Sequence, residues 1–301
     1  MKSRDVALAV LVAVLWGLAF AATRIALDSF TPPQLTALRF LIAAAPAVAL
    51  PRPPLGWSML IAIGLTLFTG QFLFQFSGMA SGMPPGLTSV MVQTQAFFTV
   101  LFAAAALGEQ PARRQIAGMA AAFLGVVLIA LTLGGDITLG AFVLTLLSAV
   151  SWAIGNVLLK RVARVEMLPL VAWLSLVPPL PSLGLALALD GPTAVALAVP
   201  QASLASLGAA LYLGLVATVY AYAAWGDLLR RHAAATVAPF ALLAPFVGAL
   251  SSAALFGERF GLVRLAGMAL VLVGLVLVVS GASPAPAAPA RGSRRASSPR
   301  A

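Results

Sequence analysis

The chain has no cysteine, a single histidine and only 9% charged residues among 301. Without cysteine there is no disulfide, no thiolate metal site and no thiol nucleophile. A soluble domain carries roughly 25% charged residues and about 45–50% apolar ones. Here 61% are hydrophobic and mean hydropathy is +1.05, so the chain cannot clothe a water-facing surface and a soluble enzyme is excluded. Chemistry inside a membrane lacks its residues too. There is no His-Glu-x-x-His, no pair of aspartates within an apolar run and no Ser/His dyad, and no Walker motif through which ATP would act directly.

What is present is ten long apolar runs, near 6–26, 33–50, 57–78, 85–107, 115–133, 138–158, 168–189, 203–225, 234–256 and 262–281. A helix needs about 20 mostly apolar residues to cross a bilayer. These runs are continuous, where membrane strands would alternate over about 10 residues. The links between them hold the breakers, such as Thr31-Pro32-Pro33, Gly82-Met83-Pro84-Pro85 and Asp190-Gly191-Pro192. Lys2, Arg4 and the Ala19-Phe20-Ala21 stretch resemble a secretory signal with its cleavage site. The apolar run continues to Leu27 and nine more follow, so it reads as an uncleaved first helix. From about Ser283 the chain is Pro, Ala, Ser and Arg, the composition of a disordered tail.

The net charge of +10 is a matter of topology. With the N-terminus placed inside the cell, 14 of the 18 Lys and Arg fall in inner loops or the tail, Arg259 and Arg264 fall outside, and Arg24 and Arg39 lie within spans. That positive-inside asymmetry puts both termini in the cytoplasm and leaves nucleic acid nothing to explain. The chain also repeats itself. At a shift of 149, Gly108-Glu109 matches Gly257-Glu258, and Ala117-Gly118-Met119-Ala120 matches Ala266-Gly267-Met268-Ala269. Earlier in each half the shift is 136, pairing Trp16 with Trp152 and Arg24 with Lys160, and a longer connection around 184–202 absorbs the difference. The expected fold is therefore an all-α membrane protein of ten transmembrane helices in two five-helix repeats, 1–134 and 135–282, with a cytoplasmic tail at 283–301. An odd number of spans inverts the second repeat, and inverted repeats build many secondary transporters, with the site near the midplane.

Polar residues within the runs are few. Trp16, Phe20 and Arg24 recur every four residues, as do Trp152, Asn156 and Lys160. Gln71 and Gln75 are four apart; Ser89, Gln93 and Gln95, then Tyr220, Tyr222 and Trp225, mark the fourth and eighth runs, and Arg39 lies about two turns into the second. The candidate substrate-binding set is Trp16, Phe20, Arg24, Arg39, Gln71, Gln75, Gln93, Gln95, Trp152, Asn156, Tyr220 and Tyr222. A guanidinium grips a carboxylate with two bonds, while amides and aromatic faces hold an ammonium. Simpler roles compete: Arg24 pairing with Asp28, Lys160 as a topology anchor, glutamines bonding helix to helix, Trp57 and Trp173 as interface anchors. Glu109 and Glu258 read as caps of the helices that follow them, and His232 as a loop residue. Pro46, Pro178, Pro179, Pro181, Pro239 and Pro245 mark kinks.

The motifs resemble the EamA-type proteins of the drug/metabolite transporter superfamily over nearly the whole chain. The resemblance rests on Val14-Leu15-Trp16-Gly17-Leu18, Leu38-Arg39-Phe40, Gly82-Met83-Pro84, Gln95-Ala96-Phe97-Phe98-Thr99, Ser151-Trp152-Ala153-Ile154-Gly155-Asn156 and Gly257-Glu258-Arg259. It is strongest to the group that exports O-acetylserine, cysteine and related amino-acid metabolites. It implies alternating-access export of such metabolites across the bacterial inner membrane by a monomer with no cofactor. The alternative is a carrier of the same fold for another small polar metabolite or a drug. The resemblance implies lysine where this chain has Arg24, which keeps the charge and adds a planar fork.

Overall fold

The computed structural model describes residues 1–162 and 165–281; the tail at 283–301 lies outside them. All ten runs are helical. They are α1 (Ser3–Ala26), α2 (Pro32–Ala44), α3 (Trp57–Ala80), α4 (Pro85–Leu107), α5 (Arg113–Ala130), α6 (Leu139–Lys160), α7 (Met167–Leu189), α8 (Leu204–Arg231), α9 (Thr236–Phe256) and α10 (Leu262–Ser280). Nine helices among the described residues are long and apolar enough to cross a membrane. The exception is α2. Thr31 accepts from the Gln34 N–H and Gln34 answers to the Thr31 N–H, a capping box that starts it. Pro46 then brings no N–H to the Ile42 carbonyl. The Ala45 N–H takes that carbonyl instead, and the chain tightens into a 3-10 turn at Ala45–Val48. The expected long connection at 184–202 is helical for most of its length: α7 runs to Leu189, and a short exposed helix, Pro192–Gln201, follows.

Phe123, Leu180 and Leu250 are 71, 81 and 71% exposed, which fits a surface solvated by lipid. Inside, one apolar cluster gathers around Phe40, Phe68 and Phe76 and another around Met83, Leu87 and Val271. α5 and α10 pack through small residues. A Cβ on Gly118 would sit 2.6 Å from the Gly274 carbonyl oxygen, and one on Gly125 2.6 Å from that of Gly267. Under the shift of 149, Gly118 corresponds to Gly267 and Gly125 to Gly274, so the two contacts are one contact made twice.

Irregularities recur in the same register. α3 carries a π-helical stretch at Gly64–Gly70 and α8 one at Tyr212–Tyr220. In each a threonine hydroxyl donates five residues back, Thr69 to Gly64 O at 3.2 Å and Thr218 to Leu213 O at 2.8 Å. α4 tightens into a 3-10 turn at Val92–Thr94, and the ninth run breaks at Leu242, between Ala234–Ala241 and Leu243–Phe256. These two breaks also lie 149 apart. α4 and α9 end on left-handed glycines, Gly108 and Gly257, at φ +69 and +67.

The sequence reading of the glutamates after those glycines as caps of the next helices is not what the structure shows. Gln115 accepts the Ala112 N–H at the start of α5, at 2.9 Å, which leaves Glu109 free to meet Lys160 at 2.7 Å. Glu258 reaches across to the start of α4 and accepts the Gly86 N–H at 3.2 Å, at the positive end of that helix. Burial pushes its carboxyl above the usual 4.5. Nearby, Arg264 grips Asp136 with bonds of 2.7 and 2.8 Å and holds that carboxyl below its usual range.

Two outcomes follow from these contacts. Gly118→Val has no room and is expected to lower the thermal midpoint in detergent, at the overpacking cost of about 1–3 kcal/mol; Gly184→Ala, within a helix and where a Cβ meets nothing within 4 Å, does not lower it and raises it slightly, for a gain of about 0.4–1 kcal/mol. The unfolded chain ionises Glu258 at lower pH than the folded one, so folding loses stability as pH rises through the raised folded value. Glu258→Gln removes that loss. Unfolding midpoints measured against pH therefore show a gain for the variant at neutral pH that vanishes toward pH 4, below both pKa values.

Candidate functional site

The polar side chains of α1, α2, α3, α4, α6 and α8 converge on a cavity of about 350 Å³. A larger hollow of about 640 Å³ beside α9 and α10 is lined only by apolar side chains, Leu250, Leu272 and Val276 among them. It offers nothing to orient a polar cargo. The structure places Trp16, Phe20, Arg39, Gln71, Gln75, Gln93, Gln95, Trp152, Asn156 and Tyr222 in the wall of the first cavity.

Arg24 and Tyr220 stand apart. Arg24 forms an ion pair with Asp28 at a helix end, both side chains about half exposed. Eight residues at about 100° each turn the Trp16 stripe by about 80°, enough to carry Arg24 off the cavity face. Tyr220 is 46% exposed. It sits two residues from Tyr222, so a helix sends the pair to nearly opposite sides.

Some wall polar groups bond to one another. Gln71 Nε2 donates to Gln75 Oε1 at 2.7 Å, within α3 and not between helices. Asn156 Nδ2 donates across helices to Gln95 Oε1 at 2.9 Å and Thr99 Oγ1 at 3.3 Å. Trp16 Nε1 donates to the Ala217 carbonyl at 3.1 Å. Arg39 is 4% exposed. Its Nε and Nη2 donate to Thr218 Oγ1 at 3.2 and 3.1 Å, and its guanidinium carbon lies 4.0 Å from the Phe72 ring centroid. Among the described residues it has no carboxylate partner, and the wall contains no Asp or Glu. Arg39 Nη1, the Gln93 amide, the Tyr222 hydroxyl, the Trp152 and Trp225 N–H groups, and the second amide atoms of Gln71, Gln75, Gln95 and Asn156 are left without a protein partner among the described residues. A solitary buried cation with unused donors has the chemistry to hold an anion.

Thr218 and Phe72 were not singled out by sequence, because a threonine or phenylalanine in an apolar helix reads as filler. The signal that could have found Thr218 is its match to Thr69 at the shift of 149. The remaining charges sit at helix ends. Asp5 meets Arg231 at 2.5 Å and His232 at 3.0 Å. Trp57 and Trp173 pack edge to face at 6.2 Å, with Arg52 over Trp57.

A bundle of membrane-spanning helices around a polar cavity is an architecture suited to a transporter of small molecules. The profile of the EamA-like transporter family matches residues 4–131 and again 139–280, and the chain belongs to that family. It is 41% identical over 290 residues to a "probable amino-acid metabolite efflux pump" of Salmonella typhimurium (strain LT2), covering 93% of this chain and 96% of that protein. It is 39% identical over 290 residues, with the same coverage, to a protein so described in Escherichia coli (strain K12). A "probable terminal-alkyne amino-acid exporter" of Streptantibioticus cattleyicolor is 29% identical over 281 residues, 89% of this chain and 91% of that one. A solved crystal structure superposes with a TM-score of 0.62 at 21% identity, covering 92% of this chain and 96% of that one, a likeness of fold.

Because Arg24 is exposed and outside the wall, its ion pair contributes about 0–1 kcal/mol. Arg24→Gln is expected to leave the thermal midpoint unchanged and cargo flux in proteoliposomes within twofold of the parent protein.

Proposed function

We propose that this protein exports small amino-acid metabolites across the bacterial inner membrane by alternating access, with Arg39 as the carboxylate anchor. The observation that carries the reading is the unpaired Arg39 guanidinium in the cavity wall. Two relatives of about 40% identity described as probable amino-acid metabolite efflux pumps support the cargo class. O-acetylserine and cysteine are the first cargoes to try.

The moving parts are two inverted repeats, 1–134 and 135–282, with both termini cytoplasmic. The double match of the family profile supports the duplication. So do the glycine contacts, the π-helical stretches and the paired breaks that recur at one shift. The positive-inside count supports the orientation. The cavity is formed within one chain, which supports a monomer as the working unit. A carboxylate entering the cavity trades water for Arg39 Nη1 and the Phe72-backed guanidinium. Amides of α3, α4 and α6 face the rest of the cargo. With no acid in the wall, flux runs down the metabolite gradient and no proton is carried through the site.

Labelled O-acetylserine or cysteine counterflow in proteoliposomes tests the reading. Arg39→Gln removes a charge-assisted bond of about 1.5–3 kcal/mol, on the order of tenfold or more in half-saturation. Arg39→Lys keeps the charge, loses the fork and recovers only part of it. Unchanged half-saturation in Arg39→Gln, or accumulation that requires a proton gradient, refutes the corresponding part.

A further inference from the structure

The cavity holds one fixed cation and no fixed anion among its described residues. A zwitterion whose carboxylate sits on Arg39 must therefore find a place for its ammonium without an acid. What stands beside Arg39 is aromatic. Thr218, which anchors the guanidinium, lies about one turn before Tyr222 on α8. The rings of Tyr222 and Trp225 lie 5.4 and 5.1 Å from that of Trp16, tilted by 60° and 58°. Phe68 closes on Tyr222 at 6.3 Å. The Trp16 N–H is committed to Ala217, which fixes the ring in place. The corner so formed brings three rings to the cavity wall with one hydroxyl and the Trp225 N–H, a donor without a partner among the described residues.

We propose that this Trp16–Tyr222–Trp225 corner recognises the cationic group of the cargo by its charge and not by its N–H bonds, so that fully N-methylated zwitterions, betaines, are substrates of the same site. The inference rests on the carboxylate role of Arg39. A ring face attracts a cation whether or not it carries hydrogens. A primary ammonium brings three donors, and the corner has one acceptor oxygen to meet them. Donors left unmet away from water are costly. Methylation removes the donors, keeps the charge and adds apolar surface that suits the rings. The competing acceptors are the side-chain oxygens of Gln71, Gln93 and Asn156, which accept from no protein donor among the described residues. They lie on α3, α4 and α6 and not on the helix of Thr218 and Tyr222, and a site built on their carbonyls would penalise methylation.

The experiment measures counterflow of labelled glycine betaine in proteoliposomes of the full chain. In parallel, glycine, glycine betaine and its uncharged-end isostere 3,3-dimethylbutanoate compete against a labelled amino-acid metabolite. The expected result is saturable betaine counterflow, with betaine competing within about threefold of glycine or better and the isostere about tenfold more weakly. Trp16→Leu and, as an independent variant on another helix, Trp225→Leu each raise the betaine requirement by about tenfold and leave that of the isostere unchanged. Absence of betaine counterflow, or competition more than about tenfold weaker than glycine, overturns the inference. If metabolite flux persists in that case, the export reading stands. If wild-type protein moves betaine but no amino-acid metabolite, the export reading falls and the corner remains.

Discussion

Arg39, only 4% exposed inside an apolar bundle, carries a charge with no carboxylate partner among the described residues. Desolvating a charge costs several kcal/mol unless it is paired, and membrane-embedded arginines usually lie against a partner or a water-filled space. Arg39 has a threonine hydroxyl, two flanking phenylalanines and a cavity. The surroundings are arranged to make that tolerable. The π-helical stretch of α8 turns the Thr218 hydroxyl back to Leu213, so its oxygen lone pairs face the guanidinium as acceptors. Phe72 lends its π face at 4.0 Å. What remains is the missing anion, and that deficit is the ground for the carboxylate anchor proposed above.

The two walls of the cavity differ although the frame repeats. On α1 the four-residue stripe gives Trp16 and Phe20; on α6 the same positions give Trp152 and Asn156. Replacing an aromatic by an amide in one copy creates the Asn156–Gln95–Thr99 network opposite the Trp16–Tyr222–Trp225 corner. The network adds polarity without charge. The corner adds π surface without acid. The repeated sequence pattern thereby carries different chemistry at its two sides while the backbone irregularities, at Thr69 and Thr218 or at Gln93 and Leu242, stay in register. The register is kept in the backbone and dropped in the side chains of the cavity wall.

How much of this was legible in the sequence follows from what each signal depends on. Helix existence depends on the solvent, and in lipid an apolar run must satisfy its backbone internally, so all ten helices could be read. Convergence on one cavity depends on helix faces, and spacing recovers these for short stripes such as Gln71 and Gln75. It fails for Arg24, because 3.6 residues per turn do not hold a four-residue stripe straight over two turns. It fails for Tyr220, where two neighbours two residues apart were both taken inward. Glu258 was misplaced because its partner, the Gly86 N–H, is 172 residues away and no local rule reaches it. Thr218 was invisible because a hydroxyl that bonds its own helix gives no pattern until the arginine opposite is known.

The distribution of acids bears on how the protein cycles. Asp5 sits with Arg231 and His232, Glu109 with Lys160, Asp136 with Arg264, and Asp190 with Thr31 and Gln34. Each lies at a helix end, and none lines the cavity. Three of these joins link the two proposed repeats in the same sense: Asp5 and Glu109 at one end of the bundle, Asp190 at the other, where Ser29 also bonds Ser206 and Ser203. A carrier that exposes its site alternately must part such joins at one end while keeping them at the other. The Glu109–Lys160 pair is about half exposed and contributes about 0–1 kcal/mol, whereas Asp5 is buried where it holds Arg231 and His232, so its join is the firmer of the two at that end. Under the alternating access proposed above, the acids would act at these closures and not in the cavity, whose wall holds none of them.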